Sequence, residues 1–152
     1  MGYVKPRKFD AKGHIESVIH EADLKNGQWL VLGAIDEDNG DELVEVTLAE
    51  AGGEAEALLI TSHIDYGYAD YNIAEQVTKA GKAGRAFLHG KGNHFSFSED
   101  LVAGAIVAGD DVAVGAGGLG IKKADEGEVV IGKAIGTEFD LNLGELTIVR
   151  IK

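Results

Sequence analysis

Between Leu101 and Lys152 no apolar run lasts long enough at helical spacing to make a helix. Glycine interrupts the stretch at Gly104, Gly109, Gly115, Gly127, Gly132, Gly136 and Gly144. Between these breaks stand short runs rich in β-branched residues, such as DVAV, EVVIG and LTIVRI, the pattern of strands bounded by turns. Glycine accepts positive φ and weakens a strand interior, so this spacing calls for tight corners, bulges and close backbone approaches. The expected fold is mainly β, a barrel or sandwich of short strands.

The chain of 152 residues is 45% hydrophobic, enough to bury a core. It has one proline and no cysteine, so disulfides and thiolate metal sites play no part in holding it together. No run nears the roughly 20 apolar residues of a membrane-spanning helix, and the amino terminus lacks the apolar centre of a signal peptide. Synthesis in the cytoplasm as a soluble protein, with no membrane partner, is the expectation.

Charge divides the chain unevenly. Lys5, Arg7, Lys8 and Lys12 stand against Asp10 alone, which makes residues 1–12 locally +3 and leaves −15 for the rest of a chain whose net charge is −12. Pro6 disfavours helix at Lys5, and Gly13 closes the segment. An extended basic arm over residues 1–13, not folding on its own, precedes a β-rich domain over residues 14–152, which could divide into modules of about 14–98 and 99–152. An acidic body does not suit nucleic acid, whose phosphates need concentrated Lys and Arg. The cations Lys79, Lys82, Arg85 and Lys91, interleaved with Phe87, Phe95 and Phe97, are too few to reverse that reading.

His14 to His20 fits either a helix or a strand. In QWLVLGAI, Trp29, Val31 and Ile35 share one face while Leu30, Leu32 and Ala34 take the other, so this strand is apolar on both sides and central. LVEVTL follows with Val44, Val46 and Leu48 inward, and Asn39-Gly40 between the two runs is a type I′ hairpin signal. Ala57 to Thr61 is a further buried strand. One short helix is expected over Asn72–Gly81: Asn72 can cap, Glu75 completes a capping box, and Gly81 supplies the stop.

Several motifs invite chemistry and do not carry it. Asp36, Asp38 and Asp41 evoke a calcium loop, yet Gly40 occupies the fifth ligand position of the EF-hand pattern. Gly115, Gly117 and Gly120 satisfy G-x-G-x-x-G, but IKKADEGEVVIG reads as a turn and a strand where a phosphate-binding helix would be required. His89 and His94 lack a third metal ligand. The run His63, Asp65, Tyr66, Tyr68, Asp70 and Tyr71 has no nucleophile or paired carboxylate, and reads as a contact loop in which Tyr66 and Tyr68 offer rigid area with polar tips. No catalytic residue, metal or cofactor is expected.

The basic arm, the segment AGKAGRAFLHGKGNHFSFSEDL and the module AGDDVAVGAGGLGIKKADEGEVVIGKAIG together resemble the capsid decoration proteins of tailed bacteriophages, also called head-stabilising or cement proteins. The likeness covers about the last two-thirds of the chain. It implies a small, β-rich, non-enzymatic virion protein, commonly a homotrimer, bound to the major capsid protein on the outer capsid surface. The arm residues Tyr3, Val4, Lys5, Pro6, Arg7, Lys8 and Phe9 carry over as a capsid-binding region. Acids without a cation over residues 36–56, against cations without an acid over residues 76–98, suggest a charge-led trimer contact through Lys79 and Arg85, joined by Tyr66 and Tyr68. A reading from another class is a small β-barrel binding or enzyme domain acting on a nucleotide or carbohydrate, with the His63 to Tyr71 loop as its pocket.

Overall fold

A computed structural model describes residues 2–8, 15–38, 42–61 and 77–152. The fold is mainly β, as the glycine spacing requires. Five strands close into a barrel: β2 (Ile15–Ile19), β4 (Trp29–Ile35), β5 (Leu43–Leu48), β6 (Ala57–Thr61) and β8 (Gly84–Leu88). Their order around it is β2-β5-β4-β6-β8. The β2–β5 pair is parallel and the other four pairs are antiparallel. The stretch that fitted helix or strand equally is therefore a strand from Ile15 onward, because Val18 and Ile19 are buried where β2 bridges β5 and β8.

The second unit is a seven-stranded sheet. It is built from β1 (Val4–Lys8), β9 (His94–Ser98), β10 (Val102–Ala103), β11 (Asp111–Val114), β12 (Ile121–Lys123), β13 (Gly132–Asp140) and β14 (Gly144–Ile151), in the order β1-β9-β14-β13-β11-β12-β10. Phe87 and Phe95, on opposite sides of the Gly90 and Gly92 turn, thus belong to different sheets. Within the segment expected to be an extended basic arm, Val4–Lys8 is an edge strand: β1 pairs antiparallel with β9, and Val4 is fully buried. A β-branched side chain that can enter the core outweighs the freedom of a terminal segment, since burying it contributes about 1.5–3 kcal/mol.

Val77–Thr78 corrects the expected helix. These residues form β7, paired antiparallel with β3 (Leu24–Lys25). Residues 72–76, which carry the capping signals, lie outside the described residues. Thr78 is buried, and the Asp23 carboxylate accepts from the Ala80 N–H at 2.9 Å and from Lys79 Nζ at 3.0 Å. Pairing with β3 takes these β-branched residues in place of a local helical turn.

Apolar side chains divide by strand parity into two clusters. Val18, Leu24, Leu30, Val46, Ala57, Leu59 and Ala86 form one cluster on barrel strands and β3. Trp29, Leu58 and Ile60, the alternate residues of β4 and β6, instead join Val4, Phe95, Phe97, Val112, Ile121 and Val149 from the sheet. β4 and β6 are apolar on both faces because they are walls shared by two cores.

The rejected phosphate-loop motif forms the seam between the units. Ala116–Gly118 is a 3-10 turn, and β12 follows it where the fingerprint would need a helix. Trp29 Nε1 donates to the Gly120 carbonyl at 2.9 Å, Gln28 Nε2 to the Gly117 carbonyl at 2.9 Å, and the Gly120 N–H to the Gly27 carbonyl at 2.9 Å. Gly120 has φ +66°, and a Cβ there would overlap the Leu101 carbonyl, so this glycine permits the close approach of two backbones.

Candidate interaction surface

Alternation along β1 turns Val4 into the core and Lys5 and Arg7 onto the outer face of the sheet, where they cross β9 and β14 toward β13. Register accounts for the meeting. Lys5 stands opposite Ser96, Ser96 opposite Ile148, and Ile148 opposite Gly136, with Glu138 one step further opposite Leu146. Arg7 Nε lies 3.3 Å from Glu138 Oε2, and Lys5 Nζ lies 3.9 Å from Glu138 Oε1 and 3.7 Å from Asp140 Oδ2. Ser96 Oγ donates to Glu138 Oε1 at 2.7 Å, and the Arg7 guanidinium reaches His94 Nδ1 at 3.4 Å. Leu146 and Ile148, which belong to neither core cluster, are buried on this same face.

Two cations and two carboxylates balance there, so Lys5 and Arg7 do not form a bare basic patch. Asp140 is held below the ordinary carboxylate range by the backbone N–H groups of Asn142 and Leu143, with nearby Lys5 adding to the effect. Its Oδ1 accepts from these amides at 2.8 Å and 3.1 Å, which fixes the β13–β14 turn as an Asx-type turn. Beyond the network the hairpin carries Phe139, 75% exposed, and Leu141, 93% exposed.

Of the residues expected at a capsid contact, Lys5 and Arg7 share this exposed face, Val4 is a core residue, and Tyr3 is half-buried with its N–H donated to Ser98 Oγ at 2.8 Å. Pro6 is half-buried in mid-strand and Lys8 ends β1 opposite His94. Phe9, Tyr66 and Tyr68 lie outside the described residues, as does the rest of the His63 to Tyr71 run. Lys79 pairs with Asp23 of its own subunit, while Arg85 is exposed on β8. The partner of Lys79 is thus a carboxylate outside the acidic block of residues 36–56. The exposed hairpin was missed by the sequence reading, although the alternation of Phe139 and Leu141 with Glu138 and Asp140 beside a glycine turn marks it.

A groove of about 550 Å³ lies on the barrel among Ile19, Val31, Leu32 and Val46. Glu21, Asp36, Asp38 and Glu45 also line it, with no lysine or arginine among the described lining residues. These four carboxylates give the groove a negative field, which disfavours phosphate. His89 Nδ1 is 2.9 Å from the Glu56 carbonyl and its ring meets Trp29 edge-on at 5.5 Å, so His89 is a packed residue. Among the described residues no three His, Asp or Glu side chains converge as metal ligands, and no helix is long and apolar enough to cross a membrane.

No protein-family model matches the chain, and no curated protein matches it. Among solved structures, the N base of the head fiber gp8.5 of bacteriophage phi29 is similar over 92% of this chain and 94% of that one, with 18% identity and a TM-score of 0.49.

Proposed function

We propose that this chain is a structural virion protein that binds the outer surface of a tailed-phage capsid, with the major capsid protein as its partner, and is not an enzyme. The virion assignment rests on the resemblance of the Ala80–Leu101 segment and the Ala108–Gly136 module to capsid decoration proteins. The observation that carries a binding role is β1: an edge strand seated by buried Val4, paired with β9 on one side, and showing exposed Lys5 and Arg7. Pro6 removes a donor from its backbone, which blunts strand addition there. Contact with the capsid then runs through the Lys5 and Arg7 side chains. These can exchange Glu138 and Asp140 for partner carboxylates, since exposed ion pairs contribute only about 0–1 kcal/mol each.

Electron microscopy of undecorated capsids mixed with the protein tests the reading. The wild type should decorate the shell, and a Lys5→Glu, Arg7→Glu variant should fold and fail to bind. Absence of wild-type decoration sinks the capsid role, and equal binding by the folded variant sinks the assignment to β1. A homotrimer with Arg85 at its contact belongs to the same proposal. Sedimentation of an Arg85→Glu variant checks it, with loss of the three-subunit mass as the expected result.

A further inference from the structure

The groove on the barrel is built by a mismatch of strand lengths. β2 stops at Ile19, opposite Glu45 of β5, while β4 runs on past its last β6 partner, Leu30 opposite Ala57. Beyond that point the Leu32 N–H donates to the Glu56 carboxylate at 2.6 Å instead of to a strand, and β4 is bulged against β5 between Leu32 and Ile35. The far wall is the end of β2, where the Gly81 N–H donates to the His20 carbonyl at 2.9 Å. Gly33 and Gly81 line the opening without a side chain to fill it.

Burial sorts the lining into a floor and a rim. Ile19 and Val46 are buried and Val31 and Leu32 half-buried, which makes the floor apolar. Glu21, Asp38 and Glu45 are exposed around it, and Asp36 is buried beside them, its Oδ1 accepting from the Asp38 N–H at 3.0 Å. The ion pairs among the described residues engage other carboxylates, and none uses Glu21, Asp38 or Glu45. Charge complementarity therefore asks for a cationic guest. A bare metal ion does not meet the need, because no three described acids converge as ligands, and about 550 Å³ is the space of a drug-sized guest. Lysine and arginine match the layering, since each lays an apolar stem on an apolar surface and keeps its charged head at the rim. A free polyamine matches it less well, because it repeats its charge along its length and would set an ammonium over the floor.

We infer that this groove binds an extended segment of a partner protein in which lysine or arginine stands next to an apolar residue, the apolar side chain on the Ile19, Val31, Leu32 and Val46 floor and the cation at Asp38 and Glu45. The site shares no residue with the Lys5 and Arg7 face and does not depend on the capsid-binding reading. Ordering a short linear peptide is costly, so its dissociation constant is expected on the order of 1 mM.

Amide chemical shifts of the full chain, followed as acetyl-Leu-Arg-Leu-Lys-amide is added, test the inference in the absence of any capsid. The amides of Leu32, Gly33, Val46 and Thr47 should move, and acetyl-Leu-Glu-Leu-Glu-amide should leave them in place. Raising the ionic strength from about 0.01 to about 1 M, which shortens the screening length from about 30 to about 3 Å, should weaken binding at least about fivefold. An Asp38→Asn, Glu45→Gln variant, changed only at exposed positions, should lose about tenfold in affinity. Shifts absent with the basic peptide, equal binding of the acidic one, or affinity indifferent to both salt and the double substitution overturns the inference. Spermidine that moves the same amides as tightly as the peptide would also overturn it, by assigning the groove to free amines.

Discussion

The strand β1 and the outer side of β13 both leave backbone without a partner among the described residues of the same sheet, and they are treated in different ways. β1 has proline at its middle, two cations on its exposed face, and Val4 driven into the core beneath them. β13 has neither proline nor lysine beyond Ala134, is interrupted there by a bulge before Gly136, and shows Phe139 to solvent. The barrel beside them avoids the problem by closing. Proline and charge protect the backbone of β1, whereas β13 is broken by a bulge and carries exposed apolar side chains beyond it.

The largest effect that sharpens this contrast lies in the glycines. Gly120, at the seam, and Gly144, in the hairpin turn, both have positive φ, but only Gly120 would drive a Cβ into a neighbouring carbonyl, while nothing lies near Gly144. Gly144→Ala should cost about 1–2 kcal/mol from backbone strain alone. Gly120→Ala should cost upwards of about 3 kcal/mol, because overpacking adds to the same strain. Urea unfolding measures both, and equal costs would mean that the seam yields as easily as the turn.

A middle-sized effect separates the two edges directly. Val4→Ala should lower stability by about 1–2 kcal/mol, since it removes two buried methyl groups. Phe139→Ala, at an exposed position, should fall within about 0.5 kcal/mol of wild type at concentrations where the protein does not self-associate. If Phe139→Ala proved as costly as Val4→Ala in dilute solution, the hairpin would be packed, and the distinction between a seated and an exposed edge would fail.

The smallest effect concerns acid. The Asp140 carboxyl is lowered in the folded protein by the Asn142 and Leu143 amides and by Lys5. Its stabilising contribution is therefore fully present above the unfolded carboxyl's ordinary value, near pH 4, and is lost as pH falls through the lowered folded value. Asp140→Asn keeps an acceptor for the turn and removes the titration. Melting temperature against pH should show a shallower acid limb for this variant, without abolishing it, because Asp23, Asp110 and Glu128 are lowered too. Superimposable acid limbs would show that the turn carboxylate is not linked to stability.

Much of the fold was legible because strand parity is local. The runs read as strands from Trp29, Leu43 and Ala57 are β4, β5 and β6, and the two-sided apolar pattern of QWLVLGAI matches a wall between two cores. The absence of a helix after Gly120 was equally readable from IKKADEG. What could not be read was pairing at a distance. Nothing near Val4 announces Phe97 as its partner, and nothing near Val77 announces Lys25. The ion pair of Lys79 was hidden for the same reason: it meets Asp23, a residue outside the acidic block, because β7 lies on β3. The Lys5, Arg7, Glu138 and Asp140 network joins residues more than a hundred positions apart, so only its cationic half was visible in the arm.

The position of β14 in the sheet has a consequence for how the molecule is made. β9 lies between β1 and β14, and β14 between β9 and β13, so the sheet cannot close its centre until residues 144–151 have been synthesised. Until then β9 can pair with β1 alone, its Phe95 and Phe97 uncovered by Val149 and its far side open to any strand in reach. The barrel, whose strands all precede β9, can assemble meanwhile. A nascent chain at that stage has a barrel whose Trp29, Leu58 and Ile60 still await the sheet, beside a half-built sheet, and chaperone binding and misassembly compete with folding there.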